Sequence, residues 1–101
     1  MPIYMKIEKG TAKHKKWKAI FSHYLDGKLK IIKTVHFGSE GMSDFTIHKD
    51  KERKQRYLDR HKKNENWNDP MTAGALSRWI LWNKPTLEAS IKDFKKRFKL
   101  K

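Results

Sequence analysis

The sequence predicts an α+β domain: a small N-terminal antiparallel β-sheet, built on a hairpin from Trp17 to Phe37, covered by three C-terminal α-helices. Three observations carry this. Apolar and polar residues alternate on both sides of Asp26-Gly27, a strong hairpin signal. Beyond residue 48 the strand period gives way to helix start and stop signals. The last segment holds Leu87, Ile91, Phe94 and Phe98 at spacings of four, three and four, a clean helical stripe. All 101 residues fit one domain, with a β-rich part over 1–48 and a helical part over 49–101.

The elements follow in order. Residues 3–7 alternate and are broken by Gly10 and Thr11, which reads as a first strand. Trp17, Ala19 and Phe21 form the apolar set of the second strand; Leu29, Ile31, Val35 and Phe37 form that of the third. A two-residue loop would set these on opposite faces. A three-residue loop, Leu25-Asp26-Gly27, would pair Phe21 with Ile31 and Trp17 with Val35 on one buried face, with Gly27 in the left-handed conformation. A one-residue slip flips every side chain, so the three-residue loop is the expectation. Gly38-Ser39-Glu40-Gly41 reads as a loop, and Phe45 and Ile47 as a brief extended segment. Residues 50–63 read as a surface helix, with Asp50 and Glu52 at its start and Lys62 and Lys63 at its end. Asp69-Pro70 or Thr72 starts a second helix with Ala75, Leu76, Trp79, Ile80 and Trp82 as its buried centre. Thr86 caps the third.

Composition narrows the function. Lys and Arg number 25 against 11 Asp and Glu, a formal charge of +14. Such an excess repels itself unless a polyanion absorbs it. Twelve aromatic residues, four Trp, three Tyr and five Phe, argue against a disordered tail. The absence of cysteine excludes disulfides, thiolate zinc sites and a cysteine nucleophile. No apolar run is long enough to span a membrane, and Met1-Pro2-Ile3-Tyr4-Met5-Lys6 lacks the apolar core of a signal peptide. The expected location is the interior of a cell, or a particle assembled inside one.

Three basic clusters are the candidate binding sites. The first is Lys13, Lys15, Lys16 and Lys18 around Trp17, whose ring is expected in the core rather than under a stacked base. The second is Arg53, Arg56 and Arg60 on the charged helix, where Glu52–Arg56 and Asp59–Lys63 are spaced to neutralise part of the charge internally. The third is Lys92, Lys95, Lys96 and Lys99, opposite the apolar stripe and with few acidic neighbours. Arg78, on the most apolar helix, is expected to pair with Asp44 or Asp69.

Catalysis finds little support. Asp44, His48 and Asp50 lie close in sequence, as a metal-dependent nuclease would need. Yet no H-x-x-x-H spacing occurs and a structural break is expected between the two aspartates. Asp59-Arg60-His61 with Asn64 matches only the letters of His-Asn nucleases. Gly38-x-x-Gly41 is a turn, too short for a phosphate-loop fingerprint. No catalytic residue, metal or cofactor is expected.

The runs Thr34-Val35-His36-Phe37-Gly38, Gly41-x-Ser43-Asp44-Phe45-Thr46 and His48-Lys49-Asp50-x-Glu52-Arg53 resemble a family of small basic proteins of uncharacterised role encoded by large double-stranded DNA viruses, notably those infecting algae. The resemblance continues through Arg60-His61-Lys62-Lys63-Asn64-Glu65-x-Trp67, the stretch from Asp69 to Thr86, and Ser90-Ile91, covering roughly residues 15–98. It implies a viral protein carried in the virion and supplies no catalytic residues. The expected function is non-enzymatic, sequence-nonspecific binding of nucleic acid, foremost double-stranded DNA. The alternatives are a minor capsid protein cementing acidic virion protein surfaces and, more remotely, a metal-dependent nuclease.

Overall fold

The computed structural model describes residues 2–101. Three antiparallel strands, β1 (Tyr4–Lys9), β2 (Lys15–Leu25) and β3 (Lys28–Ser39), form a sheet in the order β1-β2-β3. Helices α1 (Phe45–His48), α2 (Lys51–His61), α3 (Ala73–Leu76) and α4 (Leu87–Arg97) follow, and α3 runs directly into a π-helical turn over Ser77–Leu81. The α+β architecture expected from the sequence is the one observed. The core lies between one sheet face and the helices. Met5, Ala19, Phe21 and Phe37 meet Leu76, Ile80, Leu81 and Phe94 there. Trp17 packs half-buried against this cluster, so its ring belongs to the fold.

The hairpin register differs from the expectation. The loop has two residues: Leu25 pairs with Lys28, and both Asp26 (φ 53°) and Gly27 (φ 76°) are left-handed, as a type I′ turn requires. Ser22 then faces Ile31, but Phe21 faces Lys33, so Ile32 is an extra residue in β3, a β-bulge. The bulge resolves the conflict that favoured a longer loop. It returns Val35 and Phe37 to the face of Trp17, Ala19 and Phe21, while Leu29 and Ile31 stay with Tyr24 on the opposite face. Phe21 is fully buried as expected, whereas Ile31 is 66% exposed. Near the end of the hairpin Tyr24, Leu25, Leu29, Ile31 and Ile32 are all exposed.

A second correction concerns residues 45–48, which are helical rather than extended. Asp44 is the reason. It adopts an extended conformation and its carboxylate accepts from the Thr46 N–H at 2.9 Å and from the Thr46 hydroxyl, capping α1. The other caps match the sequence signals. Asp50 accepts from the N–H groups of Glu52 and Arg53, Thr72 from Ala75, and Thr86 from Ala89. Helix α4 ends in a Schellman motif: Leu100 N–H donates to Lys95 O at 2.8 Å and Lys99 N–H to Lys96 O at 3.4 Å. Lys99 takes the left-handed position with φ 55°. Beyond it, Lys101 exchanges backbone hydrogen bonds with Ile3 and Met5, covering part of the β1 edge.

Gly38 positions the loop that follows β3. Its φ is 77°, and a Cβ there would meet Leu81 Cδ1 at 2.9 Å. The left-handed backbone favours glycine there, and the missing Cβ leaves room for the Leu81 and Lys16 side chains.

Candidate nucleic-acid interface

Arg53, Arg56 and Arg60 occupy positions i, i+3 and i+7 of α2, one face of the helix. All three are exposed. The internal pairs that the sequence offered do not form. Glu52 makes no ion pair with Arg56 among the described residues, and Asp59 instead accepts from Gln55 Nε2 at 3.0 Å. The three arginines line a cleft of about 240 Å³ whose other walls are Met42, Ser43 and Trp82. A larger cavity of about 450 Å³ shares Met42, Ser43, Arg60 and Trp82 with it and extends to Lys15, Lys16 and His61. The fold thus brings the arginines of α2 and the start of β2 around one continuous recess.

Aromatic stacking holds this recess in shape. The Tyr57 ring lies parallel to Trp82, with centroids 4.3 Å apart and planes within 4°. His61 stacks on Tyr57 at 4.1 Å, and His48 meets Trp82 at 5.3 Å. Trp82 is therefore packed by neighbouring rings rather than presented as a free stacking platform. Burial, followed by the nearby Glu65 carboxylate, raises the Tyr57 hydroxyl well above its ordinary value, so it stays neutral. Glu65 accepts from Trp67 Nε1 at 2.9 Å and lies 2.8 Å from His61 Nδ1.

Of the groups considered for metal chemistry, the two aspartates are engaged in the fold, while His48 Nε2 is buried without a hydrogen-bond partner among the described residues. The buried Asp44 carboxylate bonds Lys16 Nζ at 2.7 Å and caps α1. His48 Nδ1 accepts the Asp50 N–H at 2.9 Å, which leaves the proton of neutral imidazole on Nε2. Burial, then the Arg53 charge, lowers the His48 pKa from its ordinary value. Two backbone N–H bonds at the helix cap, that of Arg53 foremost, lower the Asp50 carboxyl.

The sequence-proposed lysines divide into two groups. Lys16 is bound to Asp44, with only 16% of its side chain exposed. Lys18 lies 3.9 Å from Glu8. The charges of both face carboxylates of this chain. Lys13 and Lys15 are exposed and make no ion pair among the described residues. The same holds for Lys92, Lys96 and Lys99, while Lys95 is half-buried and also unpaired. In α4 the carboxylate of Asp93 is held by Asn83 Nδ2 at 2.7 Å and Arg97 at 3.6 Å, not by these lysines. The α4 lysines form a surface apart from the arginine cleft, whose lining does not include them.

Arg78 pairs with neither Asp44 nor Asp69. Its guanidinium donates to Trp82 O at 3.0 Å and lies over the Trp79 ring at 4.1 Å. Arg97 covers the same ring at 3.7 Å. Indole faces attract both cations, replacing the carboxylate that the sequence reading supplied. Burial and the neighbouring Arg97 lower the Arg78 pKa. Lys54 is a further contact that sequence reasoning missed. Its ammonium donates to Asn83 O at 2.8 Å and sits over Phe45, and burial lowers its pKa.

These features define a small α+β basic domain with an arginine-lined recess and a separate lysine-rich helix face. The model of a family of unknown function, DUF5754, matches residues 5–61, more than half of the chain, and the protein belongs to that family. The matched segment takes in the sheet, the loop after β3 and α2, and so every basic residue of the recess. No curated protein and no solved structure matches the chain.

Proposed function

We propose that this protein is a non-enzymatic, sequence-nonspecific nucleic-acid-binding protein of a large DNA virus, acting in DNA packaging or carried in the virion. The observation that carries this reading is the set of unpaired cations: Arg53, Arg56 and Arg60 on one face of α2 and Lys92, Lys95 and Lys96 on α4, none of which forms an ion pair among the described residues. A protein of net charge +14 holding these groups free is built to meet a polyanion. Backbone phosphates fit, because charge contacts need no base sequence.

The test is a fluorescence titration of a random duplex at several salt concentrations. Each phosphate contact releases counterions, so log affinity falls by about 0.9 per contact for each unit of log salt. Replacing Lys92, Lys95 and Lys96 by Gln keeps helix propensity nearly unchanged. The slope should fall by roughly two to three units if all three touch phosphate, with equal weakening for every sequence. An unchanged slope moves the main contact to the α2 arginines and Lys13–Lys15.

One observation favours a second reading. Tyr24, Leu29 and Ile31 form an exposed apolar strip on the sheet face opposite the helices. A minor capsid protein would use such a strip for the apolar part of a contact with shell proteins, while Lys28, Lys30 and Lys33 lie on the other face of the hairpin. Absence of duplex binding by the wild type at low salt selects this reading over the first.

A further inference from the structure

The arginine cleft differs in kind from the α4 lysine face. The lysines lie along an open helix surface, suited to any backbone phosphate that passes. The arginines line a concave site of about 240 Å³, walled on the far side by Met42 and Ser43 and floored by Trp82. Trp82 is fixed by Tyr57, and Tyr57 by His61, so the floor is preorganised rather than assembled on binding. No carboxylate lines the cleft itself; Asp44 and Glu65 line only the adjoining cavity, and each is already hydrogen-bonded within the fold.

Charge then selects the ligand. Three guanidiniums place three positive charges in one small site. An internal phosphodiester brings one negative charge and carries chain on both sides. A terminal phosphomonoester brings about −1.5 to −2 near neutral pH, with three oxygens for planar, forked donors. Ser43 adds a hydroxyl to the wall. We infer that the cleft formed by Arg53, Arg56, Arg60 and Ser43 is a phosphomonoester site that receives the phosphorylated end of a nucleic-acid strand. This rests on the nucleic-acid reading above and adds end recognition to it.

The test compares short single-stranded oligonucleotides of one sequence carrying a 5′-phosphate or a 5′-hydroxyl, labelled at the 3′ end, at fixed moderate salt. The wild type should bind the phosphorylated strand roughly tenfold more tightly, the worth of one charge-assisted hydrogen-bonded group. Arg56→Gln should abolish the preference; Arg53→Gln, also exposed on α2, is the second variant should the first fail to fold. The α4 triple substitution should weaken both strands alike and leave their ratio unchanged. Equal binding of both ends by the wild type overturns this inference and leaves nonspecific nucleic-acid binding standing. A third probe, a nucleoside 5′-monophosphate, separates the two ideas. If neither oligonucleotide binds at low salt, the nucleic-acid reading falls. A rise in wild-type melting temperature with the monophosphate, absent in Arg56→Gln, then supports a phosphomonoester site for free nucleotides. No rise overturns the site as well.

Discussion

Replacing Lys16 by Met should destabilise the fold without weakening nucleic-acid binding by the molecules that remain folded. Lys16 Nζ lies 2.7 Å from Asp44 Oδ2, with side-chain exposures of 16% and 3%. At an effective dielectric of about 20, that separation corresponds to a gross attraction of about 6 kcal/mol. Desolvation of the two ions offsets much of it, so the intact pair contributes little net stability. Removing one partner is another matter, because the carboxylate of Asp44 would remain buried and uncompensated, a loss of about 3–5 kcal/mol. The partial exposure of Lys16 sets the expectation at the lower end, about 3 kcal/mol. A small domain has only about 5–15 kcal/mol in all. Met preserves the aliphatic stem that packs beside Gly38, which isolates the charge. The assay is urea denaturation of the wild type, Lys16→Met, Asp44→Asn and the double variant. The double variant should regain much of the loss, since Asn still caps α1 and no charge is left unpaired. A loss below about 0.5 kcal/mol for Lys16→Met would show that the pair behaves as a solvated surface bridge. If that same variant also lost duplex affinity, Lys16 would be a phosphate contact, and assigning its charge to Asp44 would be refuted.

The hairpin register predicts a sharp contrast between two positions that it sets on opposite faces: Phe21→Ala should cost about 3–5 kcal/mol and Ile31→Ala less than about 0.5, measured by the same denaturation. Comparable losses at both would contradict the bulge at Ile32. Lys99, left-handed at the end of α4, should accept Gly with a gain of about 0.5–1 kcal/mol in thermal unfolding, because the Cβ penalty of that conformation disappears. A loss instead would mean that the Lys99 side chain makes a contact worth more than the strain.

Local chemistry made much of this protein legible before its structure. Helix starts at Asp50, Thr72 and Thr86 follow from side-chain oxygens that satisfy the first free N–H groups, an interaction confined to three or four consecutive residues. The stripe from Leu87 to Phe98 follows from the helical period, and all four of its residues pack into or against the core. The α+β class follows from the change of period near residue 48. The sequence by itself also determined the charge excess, and with it the class of partner proposed. What it did not determine depends on residues far apart in the chain. The bulge at Ile32 exists because a two-residue turn and a buried face make incompatible demands, and the sheet resolves them only when β2 and the helices are in place. The Asp44 carboxylate was open to Arg78 or a metal until folding brought Lys16, 28 residues away, to its side. Which cations are free and which are neutralised is likewise a tertiary result. Glu52 and Arg56 had the spacing to pair and do not; Lys16 and Lys18 had no sequence neighbour to neutralise them, yet both lie beside carboxylates. Sequence sums charge along the chain, but Coulomb energy and desolvation depend on distance and burial, which only the packed structure supplies.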